Sequence, residues 1–566
     1  MNYADLVLKN GVIYSMKQNG ERISGEAVAV KDGIIVMVGT NEDVDSVTGK
    51  NTTVIDCEGK SILPGLGDVH CHPSIAGSTK DGCNLFDIYR EEDQDPREII
   101  EIYKQILKEY IKNHPDKALI RGTGWVEANF TGTDVFPTRQ DLDEICSDKP
   151  VILEAFSQHN LWVNTKAIEI ASIDENTPDV QSGMIYREDN GYPSGVFNDP
   201  EAMDLIKTRV PGYDLSVEEY KDSILWYQKE CANKYGVTMV MDCMCSDNAR
   251  QAYKELADEG RLTIYLRGVY MLSPDHYEEE LPVYIAEKGK YNSGKDFRID
   301  TIKIFEEGLF YMVEPFEKEF CDVSGMPDDW KGDPYWDDEA LAEYCSKSLA
   351  AGFNVHIHAM GDGSVKASAE ALAKAQKANG LQDYRNVIAH LMLVPDESSK
   401  LMGEAGIIGN VQMRWMVHDG DITGMYPMMG EARSESAYPM RKLLDDGVIL
   451  AAGTDFPVTP PPSTMHEIQS ALTREVFPEC GGADYQRFKG IRLGTEAPVN
   501  MDEVMQVLSI NSAYQIYAEE FTGSIEEGKS AELIVLDRNI EKTPVEEIYS
   551  IQIEKTIFKG NVVFEI

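Results

Sequence analysis

Long hydrophobic runs are missing from this sequence: none of about 18 apolar residues occurs among its 566 residues, which argues against a membrane-spanning helix. The segment from Met1 to Lys9 also lacks the basic start and apolar run of a secretory signal, so we expect a cytoplasmic protein. Basic residues are scarce, 53 against 97 acidic ones, for a net charge of −44. Such a charge repels nucleic acid and anionic membranes, and we expect neither as a partner.

The ten cysteines show no disulfide-framework spacing, which indicates free thiols in a reducing compartment. Cys243 and Cys245 would face the same way on a strand, so a zinc pair is an alternative, although the spacing differs from that of a CxxC knuckle. No GxGxxG or GxxxxGK[ST] motif follows a strand, which argues against a Rossmann-type or P-loop enzyme.

Both ends of the chain have β-strand patterns. Near the N-terminus, two apolar runs flank Lys31-Asp32-Gly33, and near the C-terminus two more flank Lys559-Gly560-Asn561, which are hairpin signals. We therefore predict a small composite β-sandwich built from residues 1–60 and 520–566.

The middle of the chain alternates short apolar strands with amphipathic helices, which is typical of parallel βα units. Eight strands, the number that closes a (β/α)₈ TIM-like barrel, are predicted at Ile62–His70, Val237–Asp242, Thr263–Tyr270, Thr301–Phe305, Asn354–His358, Asn386–His390, Ile408–Val411 and Ile449–Ala452. We expect an α/β barrel from residues 61–73 and 216–519.

The interval between the first two predicted strands is too long for a βα connection. It contains an amphipathic helix, Pro96–Asn113, with Asp95 as its N-cap and a proline in its first turn. We therefore predict that residues 74–215 form an inserted subdomain over the barrel mouth.

Histidines follow the first barrel strand in an alternating pattern. His70 and His72 are two residues apart, so on a strand they point to the same side and can bind one metal ion. A lone HxH motif is weak, because ordinary core histidines produce it as well. Its position after a Pro-Gly turn at a strand end, where a barrel places catalytic groups, favours a metal site.

Histidine or aspartate also occurs at the ends of three later predicted strands: His358, His390 and Asp455. Each alone is explained by a core histidine or by an aspartate that caps a helix. Four strand ends that carry His-x-His, His, His and Asp in that order are not explained by caps, and together they predict a metal centre.

A longer series of motifs resembles the amidohydrolase superfamily, in particular amidohydrolase family 3, the branch that includes N-substituted formamide deformylase. The series runs along nearly the whole chain and comprises Gly59–Gly65, the His70 and His72 pair, Trp125, Pro137–Arg139, Leu142-Asp143, Pro150–Leu153, His159, Asn164, Lys303–Phe305, His358–Asp362, His390, Gly453–Val458 and Gly523–Ala531.

The resemblance implies a divalent metal, with zinc the first choice before iron, manganese or nickel, and either one or two ions. It implies these ligands: His70, His72, Lys303, His358, His390 and Asp455. Lys303 matches a lysine that some relatives carboxylate to bridge two metals, which requires a desolvated, neutral amine; pairing with Glu306 or Glu307 is the alternative. His356 also faces the barrel interior, but the Ala-x-Gly-Asp after His358 favours His358 as the ligand.

Four residues are candidates for substrate binding: His159, Trp125, Glu307 and Arg414. Core packing is an equal alternative for Trp125, and a surface salt bridge is one for Arg414, which would otherwise meet a substrate carboxylate. The sequence departs from the family pattern twice, because Glu307-Gly308 and Ser157-Gln158 stand where relatives commonly carry Asp-Gly. Both departures put the substrate in doubt rather than the metal chemistry.

These residues predict a hydrolase that acts on a small molecule. We expect metal-activated water to cleave a non-peptide C–N bond of an amide, formamide or N-acyl amine, with Asp455 as general base and then acid. One alternative is hydrolytic deamination of a cyclic amidine or aminated heterocycle. Another is a non-catalytic scaffold barrel, which predicts missing ligands, whereas all the expected positions are filled. The sequence leaves a homo-oligomer open.

Overall fold

The computed structural model describes residues 3–17, 25–86, 88–91, 94–131, 133–180, 183–308, 310–459, 463–480 and 482–566. Its central sheet contains eight strands, which we number β1 to β8 along the chain: Leu66–Cys71, Val237–Asp242, Tyr265–Leu272, Phe297–Phe305, Asn354–Ala359, Val387–His390, Ile408–Val411 and Leu450–Ala452. Each strand pairs in parallel with the next one in the chain.

Backbone hydrogen bonds connect the two ends of this sheet. The Asp455 N–H donates to the His70 carbonyl at 2.9 Å, and the His72 N–H donates to the Phe456 carbonyl at 2.8 Å. The residues that follow β8 are therefore bonded to β1 and nearly close the sheet into a barrel. This confirms the predicted fold class, an α/β (β/α)₈ TIM-like barrel.

The predicted first strand, Ile62–His70, is wrong as a single element. The structure breaks it at Gly65, so that Ser61–Pro64 joins a terminal sheet and Leu66–Cys71 is β1. The Gly65 N–H donates to the Glu532 carbonyl, while the next N–H donates to the Gly236 carbonyl. A Cβ at Gly65 would lie only 2.0 Å from Oγ1 of Thr238, so only glycine fits where the chain passes between the two sheets.

The α-helices of the barrel region lie between its strands or follow β8, and several of them begin with a side-chain cap. The predicted capping box of Ser216 and Glu219 is confirmed at the start of its helix. The α-helices of this region are Pro73–Thr79, Val217–Tyr227, Asp247–Asp258, Tyr277–Glu287, Lys318–Ser324, Asp338–Ala350, Asp362–Asn379, Asp396–Ala405, Gly420–Gly424, Tyr426–Met429, Glu431–Glu435, Met440–Asp445, Thr464–Thr473, Gly482–Phe488, Met501–Leu508 and Ile510–Gln515. None of the helices among the described residues is both long and apolar enough to cross a bilayer.

Two sheets formed by both ends of the chain share one apolar core, which includes Leu8, Val28, Ile62, Leu533 and Ile557. The first sheet contains, in spatial order, Ile34–Gly39, Ala27–Lys31, Leu6–Lys9 and Thr53–Asp56, and the short helix Asn41–Asp45 follows its edge strand. The second contains Val12–Ile13, Ser61–Pro64, Leu533–Leu536, Ile553–Phe558 and Asn561–Glu565. The domain boundaries drawn from the sequence stay a prediction.

A separate six-stranded sheet lies in the segment between β1 and β2. Its strands in spatial order are Met184–Arg187, Pro193–Asn198, Asn160–Val163, Val151–Ala155, Ile120–Trp125 and Cys83–Asn84. Its α-helices are Pro96–Asn113, Arg139–Asp143, Thr165–Ala171 and Pro200–Lys207. The helix predicted at Pro96–Asn113 is confirmed, with the Asp95 side chain accepting from the Arg97 N–H.

Candidate metal centre

The carboxyl ends of four barrel strands bring the predicted ligands to one place. His70 lies near the end of β1, His72 just after it, and His358 and His390 at the ends of β5 and β6. Asp455 follows β8. All five side chains are buried, with at most 7% of each residue exposed. We call these five residues the histidine–aspartate cluster.

Short distances connect the members of this cluster. The Oδ1 atom of Asp455 lies 3.0 Å from Nε2 of His72 and 3.4 Å from Nε2 of His70. Ring centroids of His70 and His390 are 4.7 Å apart, and those of His358 and His390 are 4.4 Å apart. Ligand atoms of His70, His72 and Asp455 all lie within 4.8 Å of one another, so these three side chains are within reach of one cation. The rings of His358 and His390 lie next to them.

The electrostatics of the cluster fit a metal. Burial, with the positive charge of Lys303, lowers the pKa of His70 well below its ordinary value, and burial lowers the pKa of His390 to about 4. Burial and the neighbouring His390 also lower the pKa of His358. These imidazoles are therefore neutral at neutral pH, which is the form that binds metal.

Two cluster nitrogens are buried without a hydrogen-bond partner in the described part of the chain, Nδ1 of His72 and Nε2 of His358. Buried polar atoms rarely stay unsatisfied, and a bound cation would satisfy ring nitrogens of this kind. The donor set of four imidazoles and one carboxylate suits zinc and other divalent transition metals.

Asp455 is held in place from both sides. Its backbone has a φ of +60°, a conformation that an aspartate adopts more readily than bulkier residues. The preceding Thr454 donates its N–H and its hydroxyl to the two carboxylate oxygens of Asp68, at 2.8 and 2.7 Å. Burial opposes ionisation of Asp455, but the hydrogen bond from His72 and the neighbouring His390 and Lys303 bring its pKa below the usual value. Asp455 is thus a carboxylate at neutral pH.

Lys303 lies on β4 beside the cluster. Its residue is 0% exposed, and its Nζ has no hydrogen-bond partner among the described residues. Burial lowers the pKa of this amine. No ion pair to Glu306 or Glu307 occurs in the described structure, so the alternative role as a salt-bridge lysine has no support. A desolvated amine with a lowered pKa is the form that reacts with carbon dioxide.

His356 and Cys243 lie next to the cluster, inside the barrel. Nε2 of His356 is 2.8 Å from Nδ1 of His70. Ligand atoms of Cys243, His70 and His356 all lie within 4.8 Å of one another. Cys245, the other member of the zinc pair considered as an alternative, lies with its Sγ 3.4 Å from the Val269 carbonyl. All ten cysteines are free thiols.

Glu307 follows β4 by two residues and contacts backbone rather than open space. Its carboxylate accepts hydrogen bonds from the N–H groups of Tyr311 and Met360, and from that of Gly361 at 3.0 Å. Burial raises the pKa of Glu307 to about 7 in spite of these hydrogen bonds. The side chain therefore fixes the turn between His358 and the helix Asp362–Asn379.

His159 from the inserted segment reaches the cluster. Its ring centroid is 6.0 Å from that of His358, and its Nδ1 is 2.6 Å from Oδ1 of Asp199. Burial disfavours the imidazolium, but the hydrogen bond and charge of Asp199, with Glu127 and Asp455, raise the pKa of His159 above its ordinary value. The imidazolium form of His159 is therefore favoured beside the cluster.

Asp199 and Tyr335 are functional candidates that the sequence did not indicate. Asp199 precedes Pro200, so it has the pattern of a helix N-cap, yet its side chain makes no capping bond and its φ is +64°. It bonds to His159 instead. The Tyr335 hydroxyl and an Asp199 carboxylate oxygen both lie next to Gly308. Neither residue stands in a motif, so only the three-dimensional contact reveals them.

The remaining two candidates contact other parts of the molecule. Trp125 is 0% exposed, packs against Phe130, Phe136 and Trp162, and donates its indole N–H to the Leu153 carbonyl at 3.1 Å. It lies in the core of the inserted sheet.

Arg414, in the 3₁₀ turn after β7, lies with its Nη1 3.0 Å from Sγ of Cys480 and its guanidinium over the Phe477 ring. The structure records no contact between Arg414 and the histidine–aspartate cluster among the described residues.

Comparisons with known proteins agree with this architecture. The model of an amidohydrolase family matches residues 53–564. A putative amidohydrolase, YtcJ of Bacillus subtilis (strain 168), is 27% identical over 574 residues, which cover 98% of each chain. The N-substituted formamide deformylase of Arthrobacter pascens is 23% identical over 581 residues, covering 99% of this chain and 98% of that protein.

Among solved structures, an uncharacterized metal-dependent hydrolase from Pyrococcus horikoshii OT3 superposes with a TM-score of 0.72 at 20% identity. The match covers 95% of this chain and 99% of the other. At that identity the likeness shows a shared fold. The family model is the finding that confirms the resemblance drawn from the motifs.

Proposed function

This chain belongs to the amidohydrolase family, and from that premise we propose that it is a metal-dependent hydrolase of a non-peptide C–N bond in a small amide, formamide or N-acyl amine. One observation carries the proposal: buried His70, His72, His390 and Asp455 converge within short distances at the carboxyl end of the barrel. That end is where TIM-barrel enzymes place their chemistry.

The residues that would hold the cation are the five members of the histidine–aspartate cluster. A carboxylated Lys303 would join them if two ions bind, since its amine is buried and unpartnered among the described residues. Zinc is the first choice for this donor set. When bound, a divalent cation supplies Lewis acidity, which lowers the pKa of water and polarises a carbonyl.

Asp455 is the proposed proton carrier. Its Oδ1 lies 3.0 Å from Nε2 of His72, inside the cluster that would hold the cation. A carboxylate there takes a proton from water and returns it to the departing nitrogen, which turns a poor leaving group into an amine.

His159 is proposed to orient the scissile carbonyl. Its Nδ1 is bonded to Asp199 at 2.6 Å, which leaves Nε2 as the ring nitrogen that can donate to substrate. A charged donor placed beside a carbonyl stabilises the negative charge that develops on its oxygen.

The similarity to a formamide deformylase at 23% identity supports C–N hydrolysis, whereas Ser157-Gln158 and Glu307-Gly308 depart from the usual pattern near the pocket. We therefore propose the reaction class and leave the acyl and amine groups to experiment.

The test incubates purified, zinc-loaded protein with N-alkyl formamides, N-acyl amines and cyclic amidines. The proposal predicts release of a primary amine together with formate or another acid. Ammonia release with an intact ring would select the deaminase alternative instead. A protein that holds no transition metal and hydrolyses none of these substrates would support the scaffold alternative and overturn the proposal.

The variant to test is Asp455→Asn, and Asp537→Asn is its control. Asp537 pairs with Arg538 near the C-terminus. Loss of a general base costs on the order of 10²- to 10⁴-fold in turnover, so Asp455→Asn should fall by at least that factor while its circular dichroism is unchanged. Asp537→Asn should match the wild type. Near-normal turnover in Asp455→Asn would remove Asp455 from the mechanism.

A further inference from the structure

We propose that His356 is a positioning residue that holds His70 in the tautomer and orientation needed for metal binding; this inference rests on the proposed function. His356 lies on β5, in register with Lys303 of β4. It is 0% exposed, and its Nε2 is 2.8 Å from Nδ1 of His70. This is the distance of an ordinary hydrogen bond between two ring nitrogens.

The two nitrogens of His70 face different partners. Nε2 lies 3.4 Å from Oδ1 of Asp455, inside the histidine–aspartate cluster. Nδ1 points to His356. A neutral His70 whose Nε2 lone pair binds a cation must have its ring proton on Nδ1. That buried N–H then requires a hydrogen-bond acceptor. Nε2 of His356, at 2.8 Å, is placed to be that acceptor. This tautomer puts the proton of His356 on its Nδ1, which is buried without a hydrogen-bond partner among the described residues.

His390 shows the same arrangement with a different partner. Its Nδ1 lies 3.0 Å from Oε1 of Gln412, an atom that can only accept. The proton is therefore on Nδ1 of His390, and Nε2 is left for the cluster. Metal-binding histidines usually donate their second N–H to an acceptor that fixes the ring, and here a glutamine and a histidine provide the two acceptors.

Cys243 defines the competing arrangement. Ligand atoms of Cys243, His356 and His70 lie within 4.8 Å of one another, so a thiolate and His356 could themselves bind a cation deeper in the barrel. In the positioning role the Nε2 lone pair of His356 accepts from His70 and is not available to a metal, so the two arrangements exclude each other.

The test measures affinity for Co²⁺ and Zn²⁺ in the purified full-length protein by competition with a chromophoric chelator. His356→Phe keeps the ring size and removes the acceptor, whereas His356→Gln keeps an acceptor near the position of Nε2. Val387→Ala is the matched packing control, because Val387 is the buried register partner of His356 on β6. If His356→Phe does not fold, His356→Leu removes the acceptor with a smaller side chain.

We expect His356→Phe to bind Co²⁺ about 10- to 100-fold more weakly, the usual loss for a partner of a metal ligand. His356→Gln should retain most of the affinity. Val387→Ala should lower the thermal midpoint of the metal-free protein and leave its affinity unchanged.

Three results would overturn the positioning role. The first is wild-type affinity in His356→Phe, and the second is equal loss in the Phe and Gln variants. The third is a sulfur-to-cobalt charge-transfer band that disappears in Cys243→Ser, because it would make Cys243 and its neighbour direct ligands. A wild-type protein that binds neither metal overturns both proposals, whereas one that binds metal without hydrolysing any substrate overturns only the proposed function.

Discussion

The substitution Glu307→Gln tests whether Glu307 stabilises the fold or binds substrate. The Glu307 side chain is 0% exposed, and its carboxylate accepts from the N–H groups of Tyr311, Met360 and Gly361. Glutamine has nearly the same shape and keeps one acceptor oxygen, but it cannot ionise. The substitution therefore removes the titration of this site and keeps most of its packing.

The expected change in unfolding free energy follows from the pKa of Glu307. Burial raises the pKa of Glu307 from 4.5 to about 7, so the folded protein binds this proton more tightly than the unfolded chain does. The stabilisation is complete below pH 4.5 and is lost as pH rises through about 7. At about 1.4 kcal/mol per pKa unit, the loss is about 3 kcal/mol. The unfolding free energy of Glu307→Gln should therefore rise by about that amount relative to the wild type between about pH 4.5 and 8.

The assay compares urea unfolding of the two proteins at a series of pH values, together with hydrogen exchange of the segment that contains Met360 and Gly361. Glu339→Gln, an exposed glutamate on the helix Asp338–Ala350, serves as the control and should show no such trend. A stability difference that stays flat across this window would refute the reasoning. A flat difference accompanied by a raised KM would support substrate binding by Glu307 instead.

Two further predictions concern the site itself. Lys303→Met replaces a buried amine that has no partner in the described structure. The variant should fold normally and contain fewer metal ions per chain, as measured by elemental analysis. An unchanged metal content would contradict a bridging role for Lys303. Asp199→Asn removes the group that, against the effect of burial, raises the pKa of His159. The imidazolium should then be lost at a lower pH, so the alkaline limb of the kcat/KM profile should move to lower pH. If the alkaline limb of the kcat/KM profile does not move, His159 does not act as a charged hydrogen-bond donor.

The barrel, and the side chains that meet at the ends of its strands, could be predicted because both depend on local patterns. The predicted strands Val237–Asp242 and Ile408–Val411 have the observed bounds. Strands of a parallel sheet are buried on both faces and therefore form short, nearly continuous apolar runs that can be recognised in the sequence. Residues at the ends of such strands all reach the same face of the barrel. The order of histidines and aspartate along the chain is therefore enough to predict a shared site.

Contacts made by the inserted segment could not be predicted in this way. Its sheet pairs strands in an order that differs from the order in the chain, with Pro193–Asn198 between Asn160–Val163 and Met184–Arg187. The pairing places His159 and Asp199 at adjacent positions, and the Asp199 N–H donates to the His159 carbonyl. From sequence, Asp199 before a proline indicates only a helix start. Non-local pairing, rather than any motif, forms this dyad.

These contacts rank the substrate-binding candidates. The Glu307 oxygens already accept three backbone N–H bonds, so binding a substrate would require breaking bonds that hold the turn after His358. Trp125 uses its only donor on the Leu153 carbonyl. His159 has one nitrogen bonded to Asp199, and its ring lies 6.0 Å from that of His358. Since a polar group selects substrate only with a donor or acceptor still to offer, substitutions at His159 should change selectivity more than those at Glu307 or Trp125.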